Sequence, residues 1–397
     1  MDNSSTSLSE KLLKSLDQNK NNLISTYCDD VGYSVSDVEF LWADMNTFLV
    51  SFNEFYSWQQ EQWKKESNLQ YKWRTATKTK YIPWGKCLVV LPGNAIIPLL
   101  PMILISFIST GNQVEIIVPS KVKKTYEILS DILANIFGHS ITINQPGVQH
   151  TLKKALLNDP PSFLYYIGGS QFKKEIYNMC IKSDVDLIYE GEGKSICVCD
   201  YNSKFEIDEF SKTLIKSKTV CNGQLCTSPN TVFVPKDIFD DIILSLSNVA
   251  NIKIFRDTNL VKNMPFLNGH IINSYKSTSA PKEYSLHHLS REILPIAINH
   301  DMFSSATFLG TYDTKDDFVN IIEKYNGGIQ VAVFSKNIQK WKDLLINNTS
   351  VARLVFNTNP VFQNSILPWG GYKCSGYSPP ENFLEKSTRK VILENYV

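Results

Sequence analysis

Four short stretches carry residues whose types and spacing could do chemistry. Asn222-Gly223-Gln224-Leu225-Cys226-Thr227-Ser228-Pro229 sets a cysteine among small residues and backbone amides. Glycine lets backbone approach a substrate closely, and a thiol beside amides can be a nucleophile of lowered pKa. A free cysteine is also a common small core residue, so spacing alone leaves both readings open. Glu190-Gly191-Glu192-Gly193-Lys194-Ser195 follows the apolar run Val185–Tyr189. Carboxylates in a glycine turn at a strand's carboxyl end sit where α/β sheets place chemistry. One could be a general base; a solvated turn fits equally well. The P-loop spacing GxxxxGK[ST] fails, because position 188 is Ile188. Gly168-Gly169-Ser170 joins a strand to a helix, where amides favour a phosphate, although many such turns need glycine. Pro368–Gly376 (PWGGYKCSG) is a glycine-dense loop.

The elements that must position these stretches follow from periodicity. Residues 1–75 read as helical: Leu8, Leu12, Leu13 and Leu16 recur at helical spacing, and Val38–Trp63 has neither glycine nor proline. Strands are expected at Cys87–Leu91, Val114–Val118, Ser140–Asn144, Phe163–Ile167 and Val185–Tyr189. Helices are expected between them at Ile97–Ser109 and Lys124–Phe137, and from Phe172. The alternation resumes after residue 205, with strands at Thr231–Pro235, Asn251–Phe255, Ala306–Leu309, Ile329–Phe334 and Ala352–Phe356. Such alternation predicts parallel sheets covered by helices.

Composition narrows the class. The chain has 397 residues, 40 Lys+Arg against 39 Asp+Glu, and a net charge of +1. Length suggests two or three domains, and 43% hydrophobic residues supply a core rather than a disordered chain. A near-zero charge argues against nucleic acid as partner. Eight cysteines are far below disulfide-scaffold density. The polar start MDNSSTSLSEKLLKSLDQNK lacks a signal core. A reduced, cytoplasmic protein is expected. No metal site is expected, because the close cysteine pair is Cys197-Val198-Cys199 rather than CxxC. His287-His288 reads as a loop pair. Cys87–Val114 carries no charge and is long enough to span a bilayer. Pro92, Gly93, Pro98 and Pro101 interrupt it, so it reads as buried strand, turn and helix.

In order, the motifs resemble the aldehyde dehydrogenase superfamily over roughly residues 80–397. The family's PWN turn, GN-strand-PS, FTGS, ELGGKS, NxGQxC, EIFGP and PFGGxKxSG have seven counterparts here. These are PGN at Pro92–Asn94, GNQVEIIVPS at Gly111–Ser120, YIGGS at Tyr166–Ser170 and EGEGKS at Glu190–Ser195. NGQLC at Asn222–Cys226, EILP at Glu292–Pro295 and PWGGYKCSG at Pro368–Gly376 complete the set. The resemblance makes Cys226 the nucleophile. It implies an oxyanion held by the Asn94 side chain and the Cys226 amide, with Glu190 activating water. NAD or NADP is the implied cofactor. Ser170 would meet its phosphates, Glu292 its nicotinamide ribose, and Pro92, Ser120 and Gly169 would line its site.

The departures also speak. Val118 replaces the lysine of the family's KPSE segment and Lys121 lies three residues on, which leaves NAD and NADP open. Gly191–Asp200 also fits the GxGNxPVxVD form of acylating members, and PGNAIIPLL and CTSP look like long-chain acyl-CoA reductases of the bioluminescence type. The first expectation is therefore reduction of an acyl-CoA or carrier-protein thioester to aldehyde through Cys226. The alternatives are oxidation of an aldehyde to the acid with Glu190 as base, and a non-catalytic binding subunit. The implied fold is α/β, with two Rossmann-like three-layer domains and an oligomerisation arm. Boundaries are expected at 1–75 (helical), 76–200 (NAD(P)-binding, with 366–386 returning), 201–365 (catalytic) and 387–397 (oligomerisation strand). The arm near Tyr71–Tyr81 and the strand Lys390–Glu394 imply a homodimer or homotetramer.

Overall fold

Short runs of β-branched and apolar residues form strands here, because helices cover both faces of each sheet. A computed structural model describes residues 7–67, 75–255, 258–277, 283–376 and 379–396. Three helices come first: α1 (Leu8–Gln18), α2 (Lys20–Val31) and α3 (Val35–Ser67). Then follow β1 (Thr75–Pro83), β2 (Lys86–Val90), α4 (Ile96–Ser109), β3 (Gln113–Ile117), α5 (Lys123–Phe137), β4 (Ile141–Ile143) and α6 (Val148–Asn158). Next are β5 (Phe163–Ile167), α7 (Lys173–Ser183), β6 (Asp186–Glu190), β7 (Ile196–Cys199), α8 (Lys204–Thr219), β8 (Thr231–Pro235), α9 (Phe239–Ala250) and β9 (Ile252–Phe255). The chain continues with α10 (Thr258–Asn263), β10 (Ile271–Ser277), β11 (Ser285–Leu289), α11 (Leu294–Ala297), β12 (Ala306–Tyr312), α12 (Lys315–Ile322) and β13 (Gly328–Phe334). It ends with α13 (Ile338–Asn348), β14 (Val351–Phe356), α14 (Phe383–Lys386) and β15 (Thr388–Tyr396).

Two compact units result. The first holds residues 1–189, 364–369 and 380–397. Its five-stranded sheet has the order β4-β3-β2-β5-β6. β2 pairs in parallel with both β3 and β5, so the strand order reverses at β2. The N-terminal helices belong to this unit. The Tyr27 hydroxyl donates to the Gly93 carbonyl at 2.9 Å and the Tyr33 hydroxyl to the Asn94 carbonyl at 3.3 Å, which ties α2 and its exit to the turn after β2. β1 and β15 form a separate antiparallel ribbon, from Thr75↔Tyr396 to Pro83↔Thr388. Of the expected arm, residues 71–74 lie outside the described residues.

The second unit holds residues 190–363 and 370–379. Its eight-stranded sheet has the order β14-β13-β7-β8-β12-β11-β10-β9. β14 through β11 pair in parallel, while β10 is antiparallel to β11 and β9. Apolar clusters fill both sides, around Phe233, Phe308, Phe318 and Trp341 on one and Phe210, Val234, Ile242 and Tyr284 on the other.

The division differs from the expected boundaries. It falls at Glu190 rather than 200, because β7 pairs with β8 and β13 of the eight-stranded sheet. Residues 370–379 pack with the second unit, through bonds such as Gly191 N–H to the Ser375 carbonyl at 3.0 Å. His287-His288 lies in β11 rather than in a loop. The buried His287 Nδ1 shares a hydrogen bond with Ser274 at 2.9 Å. Among the described residues no helix is long and apolar enough to cross a membrane. The apolar stretch from Cys87 forms β2, a turn and α4.

Candidate active site

Cys226 lies in the turn between α8 and β8, within the second unit. The backbone reaches it through Cys221 (φ 49°), Asn222 (φ 53°) and Gly223 (φ 69°), three consecutive left-handed residues. A residue with a Cβ pays about 1–2 kcal/mol for that conformation, so the turn must be held by its surroundings. At Gly223 a Cβ would overlap the Ser304 carbonyl, which makes glycine obligatory there. The Gln224 N–H donates to the Cys221 carbonyl at 2.9 Å, and the Ser228 N–H to the Leu225 carbonyl at 2.9 Å.

The Glu190–Ser195 segment is the other wall. The Ser195 hydroxyl donates to the Cys226 carbonyl at 2.9 Å, and the Asn230 N–H donates to the Ser195 carbonyl at 2.8 Å. Gly193 packs directly on the Cys226 backbone. Glu190 pairs in antiparallel fashion with Gly376, and Ser375 donates to the Glu192 carbonyl. Three sequence-predicted stretches, EGEGKS, NGQLC and PWGGYKCSG, therefore meet in one place.

Cys226 is a half-buried residue. Its surroundings push it up to about 12, first through burial, then through the charges of Glu190 and Asp301. The backbone N–H groups of Cys226 and Thr227 act in the opposite sense by bonding the thiolate. At neutral pH the resting group is a thiol, and a nearby base must accept its proton. Glu190 is 7% exposed and its charge bears on the thiol directly.

Three residues that the sequence reading missed complete this wall. Asp301 accepts from the Gly193 N–H at 3.2 Å and from the Asn230 side chain at 2.9 Å. Lys218 is fully buried and donates to Asn230 Oδ1 at 3.2 Å. Arg353 on β14 donates to Gln330 Oε1 at 2.8 Å, and Gln330 in turn donates to the Thr227 carbonyl at 2.8 Å.

Glu292 does not join this group. It is exposed on the turn Arg291–Ile293, and the Ser290 hydroxyl holds its carboxyl below the usual range. Asp301-Met302-Phe303, just before β12, repeats the acid–apolar–Phe order of EIFGP. That order was the signal available in the sequence.

In the first unit Pro92, Ser120, Gly169 and Ser170 follow the carboxyl ends of β2, β3 and β5. They surround the point where the strand order reverses, the place where such sheets bind dinucleotides. A Cβ added at Gly169 would meet nothing within 4 Å, so the approach to the turn is open. Ser170 opens the turn that leads into α7, where amides suit a phosphate. These residues fit a dinucleotide. Asn94 sits in the turn Gly93–Ala95 that leads into α4.

The sequence model of the aldehyde dehydrogenase family matches residues 5–259 and 296–392. The chain belongs to the aldehyde dehydrogenase family. The match includes Asp301 and leaves out 260–295, the stretch that holds Glu292. A similar protein is the 4,4'-diaponeurosporen-aldehyde dehydrogenase of Staphylococcus aureus, 21% identical over 96% of this chain and 85% of the relative. Among solved structures, Staphylococcus aureus AldH in a substrate-bound state superposes with a TM-score of 0.80. The identity is 17%, and the superposition covers 98% of this chain and 89% of that one. Betaine aldehyde dehydrogenase from Staphylococcus aureus, in complex with NAD+, gives 0.78 at 15% identity over 98% and 81%. The aldehyde dehydrogenase fold, α/β with two Rossmann-like domains, is thus established for this chain.

Proposed function

We propose that this aldehyde dehydrogenase oxidises an aldehyde to the carboxylic acid through a thioester on Cys226, with Glu190 as the proton acceptor. The observation that carries this reading is the position of Glu190. It is a nearly buried carboxylate whose charge acts on the Cys226 thiol. As Cys226 Sγ bonds to the aldehyde carbon, its proton passes to Glu190. A nicotinamide cofactor, NAD or NADP, held by Pro92, Ser120, Gly169 and Ser170, would supply the hydride acceptor. Glu190 releases the thiol proton to solvent before the hydrolytic step, in which it takes a proton from water, the water oxygen bonds to the acyl carbon, and the carbon–sulfur bond breaks. The acid leaves, and the Cys226 thiolate takes the proton back from Glu190. Asn94 and the Cys226 amide are the proposed oxyanion donors.

The related proteins are named as dehydrogenases. They lend no support to the expected reduction of an acyl-CoA or carrier-bound acyl group. The test supplies aldehydes and NAD+ or NADP+ with and without coenzyme A. Acid formation that is independent of coenzyme A and lost in Glu190→Gln supports the proposal. An absolute requirement for coenzyme A overturns it in favour of the acyl-thioester reading. Absence of both NAD(P)H binding and selective labelling of Cys226 would favour a binding subunit.

Assembly belongs to the same proposal. The ribbon of β1 and β15 exposes Ile392 and Leu393, and an apolar ribbon edge is a ready pairing surface. A homodimer or homotetramer is expected by sedimentation; a strictly monomeric profile contradicts it.

A further inference from the structure

A buried ammonium is costly unless it is paired and hydrogen-bonded. Lys218 lies in the last turn of α8 and is fully buried, yet its described polar partner is neutral. That partner, Asn230, is 3% exposed and is held at both ends of its amide. Its Oδ1 accepts from Lys218 Nζ at 3.2 Å and from the Met302 N–H at 3.1 Å. Its Nδ2 donates to Asp301 Oδ1 at 2.9 Å. The opposite amide orientation would face NH2 toward an ammonium and oxygen toward a carboxylate, so Lys218 fixes the direction of this amide. Asp301 is fixed in turn. Its Oδ1 also accepts from the Phe303 N–H at 3.0 Å, and its Oδ2 from the Gly193 N–H at 3.2 Å. Gly193 is the residue on which the Cys226 backbone rests.

We propose that Lys218 is a positioning residue for Cys226, acting through Asn230 and Asp301 on the Gly193–Cys226 contact and balancing the Asp301 charge beside the nucleophile. The inference rests on Cys226 as the reactive thiol, but not on the fate of the acyl group. Among the described residues, the charges linked to Cys226 are those of Glu190, Asp301 and Arg353. Two of these are negative, and Lys218 is a cation that is joined to Asp301 through the Asn230 amide and feels its charge. Burial presses the Lys218 ammonium down to about 8, against the pull of Asp301.

The test compares wild type, Lys218→Met, Lys218→Arg and the charge-neutral pair Lys218→Met/Asp301→Asn in the full chain. The probe is iodoacetamide, and alkylation of Cys226 is followed by peptide mass at a series of pH values. Lys218→Met leaves the Asp301 charge uncompensated, so alkylation is expected to be about tenfold slower at pH 7, with the two profiles converging as pH rises past about 8, where Lys218 itself loses its charge. With aldehyde, kcat is expected to fall about tenfold while KM changes less than about threefold. Lys218→Arg should recover part of both. The neutral pair should return the alkylation profile to that of wild type or below. If Lys218→Met does not fold, the neutral pair against Asp301→Asn alone carries the same comparison. A wild-type profile and kcat in Lys218→Met overturn the proposal, as does a neutral pair that labels as slowly as Lys218→Met. Selective labelling of Cys226 without aldehyde turnover would count against the proposed function alone, and the labelling series would still decide the role of Lys218.

Discussion

Gly193 lies so close to Cys226 that a Cβ at position 193 would overlap the Cys226 carbonyl. The two residues come from separate segments, the turn after β6 and the turn before β8. The Ser195 hydroxyl bonds the same carbonyl at 2.9 Å. Gly193→Ala is expected to displace the nucleophile while leaving the strands of the sheet in place. A displacement near 1 Å at a reacting group costs about a hundredfold in rate. Steady-state turnover should fall by that order, with an unchanged far-ultraviolet circular dichroism spectrum. An alanine variant of wild-type activity would remove the argument for contact.

Glu190→Gln should separate two properties that normally fall together. The Glu190 charge raises the Cys226 thiol, so its removal favours the thiolate. Iodoacetamide should then label Cys226 at lower pH than in wild type. Turnover should fall about 10²–10⁴-fold, because the proton acceptor is gone. Faster labelling with slower turnover is the expected pair of results. Slower labelling would mean that Glu190 acts on Cys226 by holding the loop rather than by charge.

The parts of the fold that could be read from the sequence are those where one rule decides. β2 and β5 are buried on both faces along most of their length, and they read as the apolar runs CLVV and FLYYI. β10 and β11 do not, because buried polar pairs such as Ser274 with His287 make them look like loop. α6 begins directly after Pro146-Gly147, which reads as a stop rather than a start. Within the site, Cys226 and Glu190 stand in recognisable strings. Lys218, Asp301 and Arg353 do not: Asp301 reaches Gly193 and Asn230 from a distant part of the chain, and Lys218 and Arg353 act on the nucleophile turn only through Asn230 and Gln330, side chains that no motif marks. The EIFGP-like letters E and I fall on Glu292 and Ile293. The acid that reaches the nucleophile loop is Asp301.

Arg353 braces the Cys226 turn through Gln330, which donates to the Thr227 carbonyl. Its guanidinium donates to Gln330 Oε1 at 2.8 Å and to the carbonyls of Pro360 at 3.3 Å and Phe362 at 2.7 Å. Arg353→Met strands these acceptors, for a loss of about 1–3 kcal/mol in a urea titration. Burial lowers the Arg353 pKa and Cys226 raises it, so the two groups feel each other's charge. Removal of the cation should therefore slow alkylation of Cys226 at a fixed pH. Gln330→Leu keeps the cation, and it should lower stability without that slowing. Equal labelling rates in wild type and Arg353→Met would show that the charge does not reach the thiol.

Buried thiols should set an alkaline limit on stability. Burial raises Cys87 and Cys199 to about 12, Cys180 to about 11, and Cys197 well above its ordinary value. Each folded-state pKa then exceeds the unfolded one. The stability this contributes is complete below the ordinary thiol pKa and is lost as pH rises from there through the folded pKa. At pH 10 the loss is roughly 1–2 kcal/mol per thiol. Lys218 has the opposite sign, since burial lowers it to about 8 and the folded state regains stability between that value and the ordinary lysine pKa. One lysine against four thiols leaves a net decline. The urea midpoint should fall between pH 8 and pH 10, and Cys180→Ala should flatten that slope. A midpoint that is constant over this range would mean that the thiols are reached by water in the folded state.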